Sequence, residues 1–171
     1  MGAMNTAAVH IDGGCRPTNP GHAGFAAVIV LDGQEFIISR YIGWGSNNVA
    51  EVTALIVAVK YAAHLGAEAL EVSSDSRFVV EETHGRWRLR SPVLKPLVME
   101  ARDLLFRHFP HRWELTWIPR KENVKADYYC GLAIQAGRYQ NPWLRRHLKD
   151  KSPGKIIDPF ARTRDQGSIG A

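Results

Sequence analysis

Four acidic residues, Asp12, Glu51, Asp75 and Asp127, stand where predicted strands end or predicted helices begin. Converging carboxylates repel each other, and burial strengthens the repulsion, so a fold tolerates such a cluster when a cation neutralises it. Oxygen-only ligands select a hard ion such as Mg²⁺ or Mn²⁺. Two such ions sharing bridging oxygens would form a phosphodiester hydrolysis site, in which one ion activates water and the other stabilises the leaving oxygen.

Each acid also has a structural interpretation that needs no metal. Glu51 and Asp127, in the first turns of their helices, would stabilise the helix macrodipole by about 0.3–1 kcal/mol each. Asp75 would cap the short helix that follows it, and Asp12 would be a turn residue after the first strand. For each acid considered alone, the structural interpretation is favoured over the metal site. For the four positions considered together, the metal site and the structural interpretations are equally favoured.

The elements that must position these acids follow the order βββαβααβα. Apolar or alternating runs predict strands at residues 7–11, 24–31, 35–42, 70–74 and 113–118. Apolar spacings of three and four, together with capping residues, predict helices at 46–65, 76–84, 92–109 and 123–136. Ser46, Asn47 and Asn48 are all candidate caps of the first long helix. The order predicts an α/β fold with one five-stranded mixed sheet, three antiparallel strands followed by two parallel ones, flanked by helices.

The composition of the 171 residues, 45% hydrophobic and 23% charged, is that of a folded globular chain. We expect one domain over residues 4–137. The longest apolar run, residues 23–31, is too short to cross a bilayer, and no signal peptide is apparent at the N-terminus. Two cysteines are too few for a disulfide framework, so we expect a cytoplasmic protein, and we also expect a monomer.

The net charge of +5 is carried by the C-terminal segment, since residues 138–171 contain eight basic and three acidic residues and residues 1–137 are neutral. We expect this segment to be a basic, partly ordered extension that binds nucleic-acid backbones nonspecifically. A second basic run, Arg86 to Arg90, surrounds Trp87. A basic run with an aromatic residue suits a nucleic-acid strand, although a solvated charged surface is the more common meaning of charge alone.

Four stretches together resemble type 1 ribonuclease H, in the form that lacks a long basic insertion between the middle helices. They span residues 11–21 (beginning Ile11-Asp12-Gly13-Gly14-Cys15), 46–51 (Ser46 to Glu51), 74–76 (Ser74-Asp75-Ser76) and 117–127 (Trp117-Ile118-Pro119-Arg120 to Ala126-Asp127). They occur in the family's order over residues 6–137. The set is specific because it places all four family carboxylates in a chain of the expected element order.

The resemblance implies an endonuclease that cuts the RNA strand of RNA/DNA hybrids with two Mg²⁺ ions, for which Mn²⁺ could substitute. Asp12 would bridge both ions, Glu51 and Asp75 would join it at one, and Asp127 at the other. The products would carry 5′-phosphate and 3′-hydroxyl ends.

The same resemblance implies recognition of the hybrid by its shape and its ribose 2′-hydroxyl groups, with little sequence specificity. The residues expected to contact nucleic acid are Gly13, Gly14, Cys15, Asn19, Ser46, Asn47, Asn48, Ser76, Trp87 and Arg88. Among these, Ser46 and Asn19 match positions that hold a phosphate of the DNA strand. The alternatives are that Asn48 only caps its helix and that Cys15 is a small buried hydrophobe.

Some members of the family carry a histidine in the loop before the last acid that aids product release. Here the loop reads Arg120-Lys121-Glu122-Asn123, and Glu122 or Arg120 would take that role. Two other hypotheses are a binding domain without catalysis and a different nuclease on the same scaffold, such as an exonuclease or a double-stranded RNA nuclease. The four acids argue against a pure binder, because acids that face phosphates weaken binding.

Overall fold

The computed structural model describes residues 4–138 and the backbone of residues 155 and 156. The strands are β1 (Thr6–Arg16), β2 (Gly21–Leu31), β3 (Gln34–Gly45), β4 (Ala69–Ser74), β5 (Trp113–Trp117) and β6 (Lys155–Ile156). The helices are α1 (Asn47–His64), α2 (Arg77–Thr83), α3 (Leu94–His108) and α4 (Val124–Arg138), and one 3₁₀ turn, Arg120–Glu122, precedes α4.

The sheet has the strand order β5-β4-β1-β2-β3-β6. The pairs β1–β2 and β2–β3 are antiparallel, whereas β1–β4 and β4–β5 are parallel. The predicted five-stranded mixed sheet and its element order are therefore confirmed. The two-residue strand β6 pairs in parallel with β3 at Phe36 and Ile37, beyond the five predicted strands.

Strand β1 continues further than the sequence predicted. The first strand was predicted to end at residue 11, but Gly13 and Gly14 also lie inside β1 and pair with Phe25 and Gly24 of β2. A Cβ atom on Gly13 would lie 2.3 Å from the carbonyl carbon of Ala50. Glycine at this position therefore allows α1 to pack directly against the strand.

The helices lie on both faces of the sheet. Helices α1 and α3 pack on one face with the larger hydrophobic core, which includes Ile11, Phe25, Leu55, Val98 and Leu105. Helix α4 covers the other face with a smaller cluster that includes Ala26, Val28, Tyr129, Cys130 and Ile134. Burying each large aliphatic or aromatic side chain contributes about 1.5–3 kcal/mol, so these two clusters fix α1 and α4, the helices that carry Glu51 and Asp127.

Serine side chains cap the N-termini of α1 and α2. Ser46 Oγ accepts a hydrogen bond from the Val49 amide at 3.3 Å, and Ser76 Oγ accepts one from the Val79 amide at 3.3 Å. Ser46 is thus the cap among the three candidates for α1. Because α1 begins at Asn47, Glu51 lies in its second turn, and the prediction of a first-turn position is corrected.

Among the described residues, no helix combines the length and the apolar character that a membrane span requires. The predicted basic extension, residues 138–171, lies outside the described residues apart from Arg138 and the backbone of β6. The domain boundaries, the cytoplasmic location and the monomeric state stay predictions.

Candidate active site

Three of the four predicted acids meet in one cleft of about 520 Å³. One carboxylate oxygen each from Asp12, Glu51 and Asp75 lies within 4.8 Å of the others. The sheet register explains how two of them converge. Ile11 and Ser74 form the last pair between β1 and β4, so Asp12 and Asp75 follow side by side at the point where these parallel strands separate. Asp12 nevertheless stays within β1, paired with Ala26 of β2, so its predicted place at the strand end and its alternative role in a turn are both corrected.

Glu51 reaches the same point from α1. The close approach of α1 to Gly13 brings the Glu51 carboxylate against β1, where the Gly13 backbone amide donates a hydrogen bond to it. Its other oxygen, Oε2, is buried without a hydrogen-bond partner within the described part of the chain. A buried carboxylate oxygen without a partner is unfavourable by several kcal/mol unless a cation or a donor satisfies it.

The electrostatics of the cleft favour the protonated forms of Asp12 and Glu51 while no cation is bound. Burial raises the pKa of Asp12 from an ordinary value of 3.8 to about 7, and the charges of Asp75 and Asp127 add to this rise. Burial also raises the pKa of Glu51 well above its usual range, with Asp12 and Asp75 contributing. Both effects reflect negative charge that is crowded into a poorly solvated space.

Asp75 is held in the cleft by a residue to which the sequence assigned no role. Asn123 is almost fully buried, and its Nδ2 donates hydrogen bonds to the Ile11 carbonyl at 2.8 Å and to Asp75 Oδ1 at 3.1 Å. Its sequence signals are its place four residues before Asp127 and its position inside the matching stretch 117–127. Asp75 does not cap α2, because Ser76 takes that position.

The fourth acid, Asp127, lines the cleft but does not join the cluster of three. It stands in the first turn of α4, as predicted. Its Oδ1 accepts a hydrogen bond from Arg120 Nη2 across the 3₁₀ turn. The side chain of Asp127 is 37% exposed, so this ion pair is open to solvent.

Cys130 also lies in the cleft without having been predicted. Its Sγ donates to the Gly24 carbonyl at 3.3 Å. It also hydrogen-bonds Asp12, which opposes part of the rise in the pKa of that carboxyl group. Burial and the nearby acids raise the pKa of the Cys130 thiol, so this thiol stays protonated.

A compact hydrogen-bond network occupies the cleft wall where nucleic-acid contacts are predicted. Asn47 Oδ1 accepts from the Cys15 amide at 2.8 Å and lies 3.1 Å from Cys15 Sγ. Asn19 Oδ1 accepts from the Asn47 amide at 3.1 Å. Cys15 is therefore a half-buried, hydrogen-bonded residue, not a buried hydrophobe. Asn48 stands beside Asn47 in the cleft and does not cap α1.

The predicted contact residues divide between the cleft and other surfaces. Those that line the cleft are Gly13, Gly14, Cys15, Asn47, Asn48 and Ser76. Asn19 is joined to the cleft by its bond to Asn47, and Ser46 precedes that residue. Trp87 lies elsewhere, in a second cavity with Arg102 and Met99. Neither Arg88 nor Glu122 lines the cleft, whereas Arg120 does.

The residues of the cleft fit a hard divalent cation. The converging donors are carboxylate oxygens, which Mg²⁺ and Mn²⁺ prefer. A cation would satisfy the unpartnered Glu51 Oε2 and would offset the mutual repulsion of Asp12, Glu51 and Asp75. Helix-dipole stabilisation does not explain Glu51, because its carboxylate is buried beyond the first turn.

The chain matches known proteins over most of this fold. A family model described as reverse transcriptase-like matches residues 10–133. The bifunctional protein Rv2228c of Mycobacterium tuberculosis is 34% identical over 152 residues, which are 87% of this chain and 39% of that protein. The chain thus spans about two fifths of the length of this curated relative.

Solved structures give the same likeness. The N-terminal RNase H domain of Rv2228c, solved as a fusion with maltose-binding protein, superposes with a TM-score of 0.73 at 35% identity, covering 80% of this chain and 98% of that one. RNase H1 of the archaeon Halobacterium salinarum gives 0.71 at 34% identity, covering 76% and 98%. LC11-RNase H1, solved in complex with an RNA/DNA hybrid, gives 0.71 at 30% identity, covering 77% and 99%.

Proposed function

This chain belongs to the ribonuclease H family, and we propose that it is an endonuclease that hydrolyses the RNA strand of RNA/DNA hybrids. The observation that carries the proposal is the meeting of Asp12, Glu51 and Asp75 within 4.8 Å, with one buried Glu51 oxygen lacking a partner. This arrangement is unfavourable for a pure binding domain, because it presents negative charge to phosphates. It suits a site completed by cations and a phosphodiester.

Asp12, Glu51 and Asp75 would hold one Mg²⁺ ion, and Asp12 together with Asp127 would hold a second, for which Mn²⁺ could substitute. When bound, the ions supply a nucleophile at neutral pH and stabilise the leaving oxygen, so that products carry 5′-phosphate and 3′-hydroxyl ends. The protein's contribution is positioning. Asn123 holds Asp75 and the Gly13 amide holds Glu51, so both carboxylates are oriented before substrate arrives.

Substrate recognition would use the cleft wall beside these acids. The backbone at Gly13, Gly14 and Cys15, with Asn48, would contact the RNA strand and its 2′-hydroxyl groups. Ser46 and Asn19 would contact a phosphate of the DNA strand. Each uses its side-chain oxygen as an acceptor within the fold, which leaves the Ser46 hydroxyl hydrogen and the Asn19 amide hydrogens to donate to a phosphate. Such contacts position the duplex without reading bases.

Arg120 is the better candidate for a role in product release, because it lines the cleft and pairs with Asp127. Its guanidinium competes with a cation for the Asp127 carboxylate. This competition would keep the second ion weakly bound and would help the product phosphate to leave.

The test is to incubate the full chain with labelled RNA/DNA hybrid, duplex DNA and duplex RNA, each with Mg²⁺ or with chelator. We expect cleavage of the hybrid alone, at internal positions, and its loss with chelator. Asp12→Asn should abolish cleavage while the circular dichroism spectrum and cooperative unfolding are retained. Tight hybrid binding without cleavage would instead identify a binding domain, and cleavage of duplex RNA would identify a broader nuclease.

A further inference from the structure

A row of three side chains crosses the sheet next to the cleft and is not used by the proposed mechanism. Arg16 of β1 pairs with His22 of β2, and His22 pairs with Trp44 of β3. Paired residues on neighbouring strands project from the same face of a sheet. Arg16, His22 and Trp44 therefore form one continuous strip, which we call the aromatic row.

The aromatic row lies on the α4 face of the sheet, as the cleft side of Asp12 does. Residues 12, 14 and 16 share this face because side chains alternate along a strand. A Cβ on Gly14 would contact Ile134 and Cys130 of α4, which identifies the face. Arg16 lies on the wall of the cleft, so the row continues the surface that begins at the carboxylates.

A β-bulge places the aromatic side chains on this face. The register between β2 and β3 shifts between Ala23 and Gly24, so that Gly24 pairs with Tyr41 whereas His22 pairs with Trp44. Tyr41 and Trp44 consequently face the same side although they are three residues apart. A regular strand would have turned one of them to the opposite face.

The row is held in place by ring contacts, and its indole is exposed among the described residues. Tyr41 Oη lies 2.8 Å from His22 Nδ1, and the two rings stack with centroids 6.0 Å apart. Trp44 makes an edge contact with His22 at 5.6 Å, yet its side chain remains 66% exposed. Within the described part of the chain, Arg16 has no ion-pair partner. An exposed indole and a guanidinium on one strip combine the stacking surface and the positive charge that single-stranded nucleic acid binds.

The distance between the acids and the aromatic row limits which part of a bound nucleic acid could contact the row. Asp12 and Arg16 are four residues apart on β1, or about 13 Å, and Arg16 and Trp44 are two strand spacings apart, or about 10 Å. The indole therefore lies roughly 16 Å from the carboxylates, the length of about five steps of a nucleic-acid duplex. Bases inside a duplex are stacked on one another, so an aromatic ring at this position can stack only on an unpaired base.

We propose that the aromatic row binds a single-stranded extension of the hybrid, with Arg16 on a phosphate and Trp44 stacked on an unpaired base. This inference rests on the proposed function, because the cleft must first hold the hybrid. The proposed contact predicts that the enzyme binds hybrids that end in a single strand more tightly than blunt hybrids of the same length. Stacking on the indole requires no particular base, so the preference depends on the presence of the extension and not on its sequence.

The test measures binding of the full chain in chelator, which prevents cleavage, to a blunt hybrid and to the same hybrid with about six unpaired nucleotides at either end. We expect the extension at one end to tighten the wild-type Kd roughly tenfold, as expected for stacking of one base. Trp44→Ala should lose most of this gain without weakening binding of the blunt hybrid, and Trp44→Phe should keep part of it. Phe106→Ala is the matched control, since Phe106 is 57% exposed on α3, across the sheet, and it should keep the whole gain.

Three outcomes would overturn the inference. The wild-type protein could bind both substrates equally, Trp44→Ala could weaken both equally, or size exclusion could reveal a dimer that Trp44→Ala disrupts, which would make the row an interface between copies. Cleavage of the blunt hybrid with Mg²⁺ is measured in parallel. If blunt hybrid is cut but extensions give no gain, only this inference fails, whereas absence of any cleavage refutes the proposed function independently.

Discussion

Asn123 and Asp75 are joined by a partly buried hydrogen bond of 3.1 Å, and the same Asn123 amide group donates a buried hydrogen bond to the Ile11 carbonyl at 2.8 Å. One side chain thereby ties the start of α4 to the middle of β1 and to the residue that follows β4. Ile11 and Asp75 flank the point where β1 and β4 separate, so the bond fixes the geometry of the acidic cluster. Asn123 Oδ1 has no partner among the described residues, which is unfavourable for the stability of the fold.

Replacing Asn123 should therefore reduce activity and Mg²⁺ affinity more strongly than it reduces the stability of the fold. Asn123→Ala should lower the free energy of unfolding by about 1–2 kcal/mol. It should also reduce activity or the apparent Mg²⁺ affinity by about 10–100-fold, the usual effect of losing a partner that orients a metal ligand. A Mg²⁺ titration of hybrid cleavage, below the unfolding temperature, separates the two effects. Asn123→Asp should reduce activity further than Asn123→Ala, because it adds a negative charge next to Asp75. Wild-type activity of Asn123→Ala at every Mg²⁺ concentration would contradict the positioning role.

The raised pKa of Asp12 predicts an unusual dependence of stability on pH in the absence of cations. The folded chain retains the Asp12 proton up to about pH 7, whereas the unfolded chain releases it near the ordinary value of 3.8. Between these values the folded state binds more protons, so a rise in pH favours unfolding. In chelator, Asp12→Asn should become progressively more stable than the wild type from about pH 4 to 7, with a constant difference above that range. Thermal unfolding of both proteins across this pH range measures the difference. Added Mg²⁺ should reduce it, and a difference independent of pH would contradict the assignment.

Arg120 and Glu122 were equivalent candidates in the sequence, and the structure separates them. Arg120 pairs with Asp127 in the cleft, whereas Glu122 is exposed outside it. Arg120→Ala should tighten cation binding at Asp127 and slow product release by about two- to fivefold, since exposed ion pairs contribute up to about 1 kcal/mol. The multiple-turnover rate should fall while the single-turnover rate changes less. Glu122→Ala is the matched control and should leave both rates unchanged. Equal losses in both kinetic regimes would place Arg120 in the chemical step instead.

Much of the fold could be predicted because apolar periodicity and turn residues in this chain agree with the final structure. The order of the elements along the chain, the helices and the convergence of Asp12 with Asp75 all follow from local patterns combined with the rules for parallel crossovers. The extent of β1 could not be predicted, because Gly13-Gly14 indicates a turn when only neighbouring residues are considered. The glycine at position 13 is instead needed by a tertiary contact, the approach of Ala50 in α1.

The sequence did not predict Asn123 and Cys130 as site residues for a similar reason. Asn123 and Cys130 act through contacts with Asp75 and Asp12, which are distant in sequence. An asparagine near a helix start normally indicates a cap, and a cysteine among apolar residues normally indicates core packing. Nothing local distinguishes these roles from an orienting contact to a carboxylate. The bulge that turns Trp44 towards His22 is equally a property of strand pairing, which the β3 sequence alone does not reveal.

Two glycines of α4 should respond in opposite directions to the same substitution. A Cβ on Gly131 would meet no atom within 4 Å, whereas a Cβ on Gly137 would lie 2.0 Å from the Tyr41 ring. Gly131→Ala should therefore raise the free energy of unfolding by about 0.8–1.0 kcal/mol, because alanine restricts the backbone and favours the helix. Gly137→Ala should lower it by about 1–3 kcal/mol, since the clash must displace Tyr41 or the end of α4. Urea unfolding of both variants measures the difference. Stabilisation by Gly137→Ala would contradict the close packing of α4 on Tyr41, which holds the aromatic row, whereas destabilisation by Gly131→Ala would contradict the open space around Gly131.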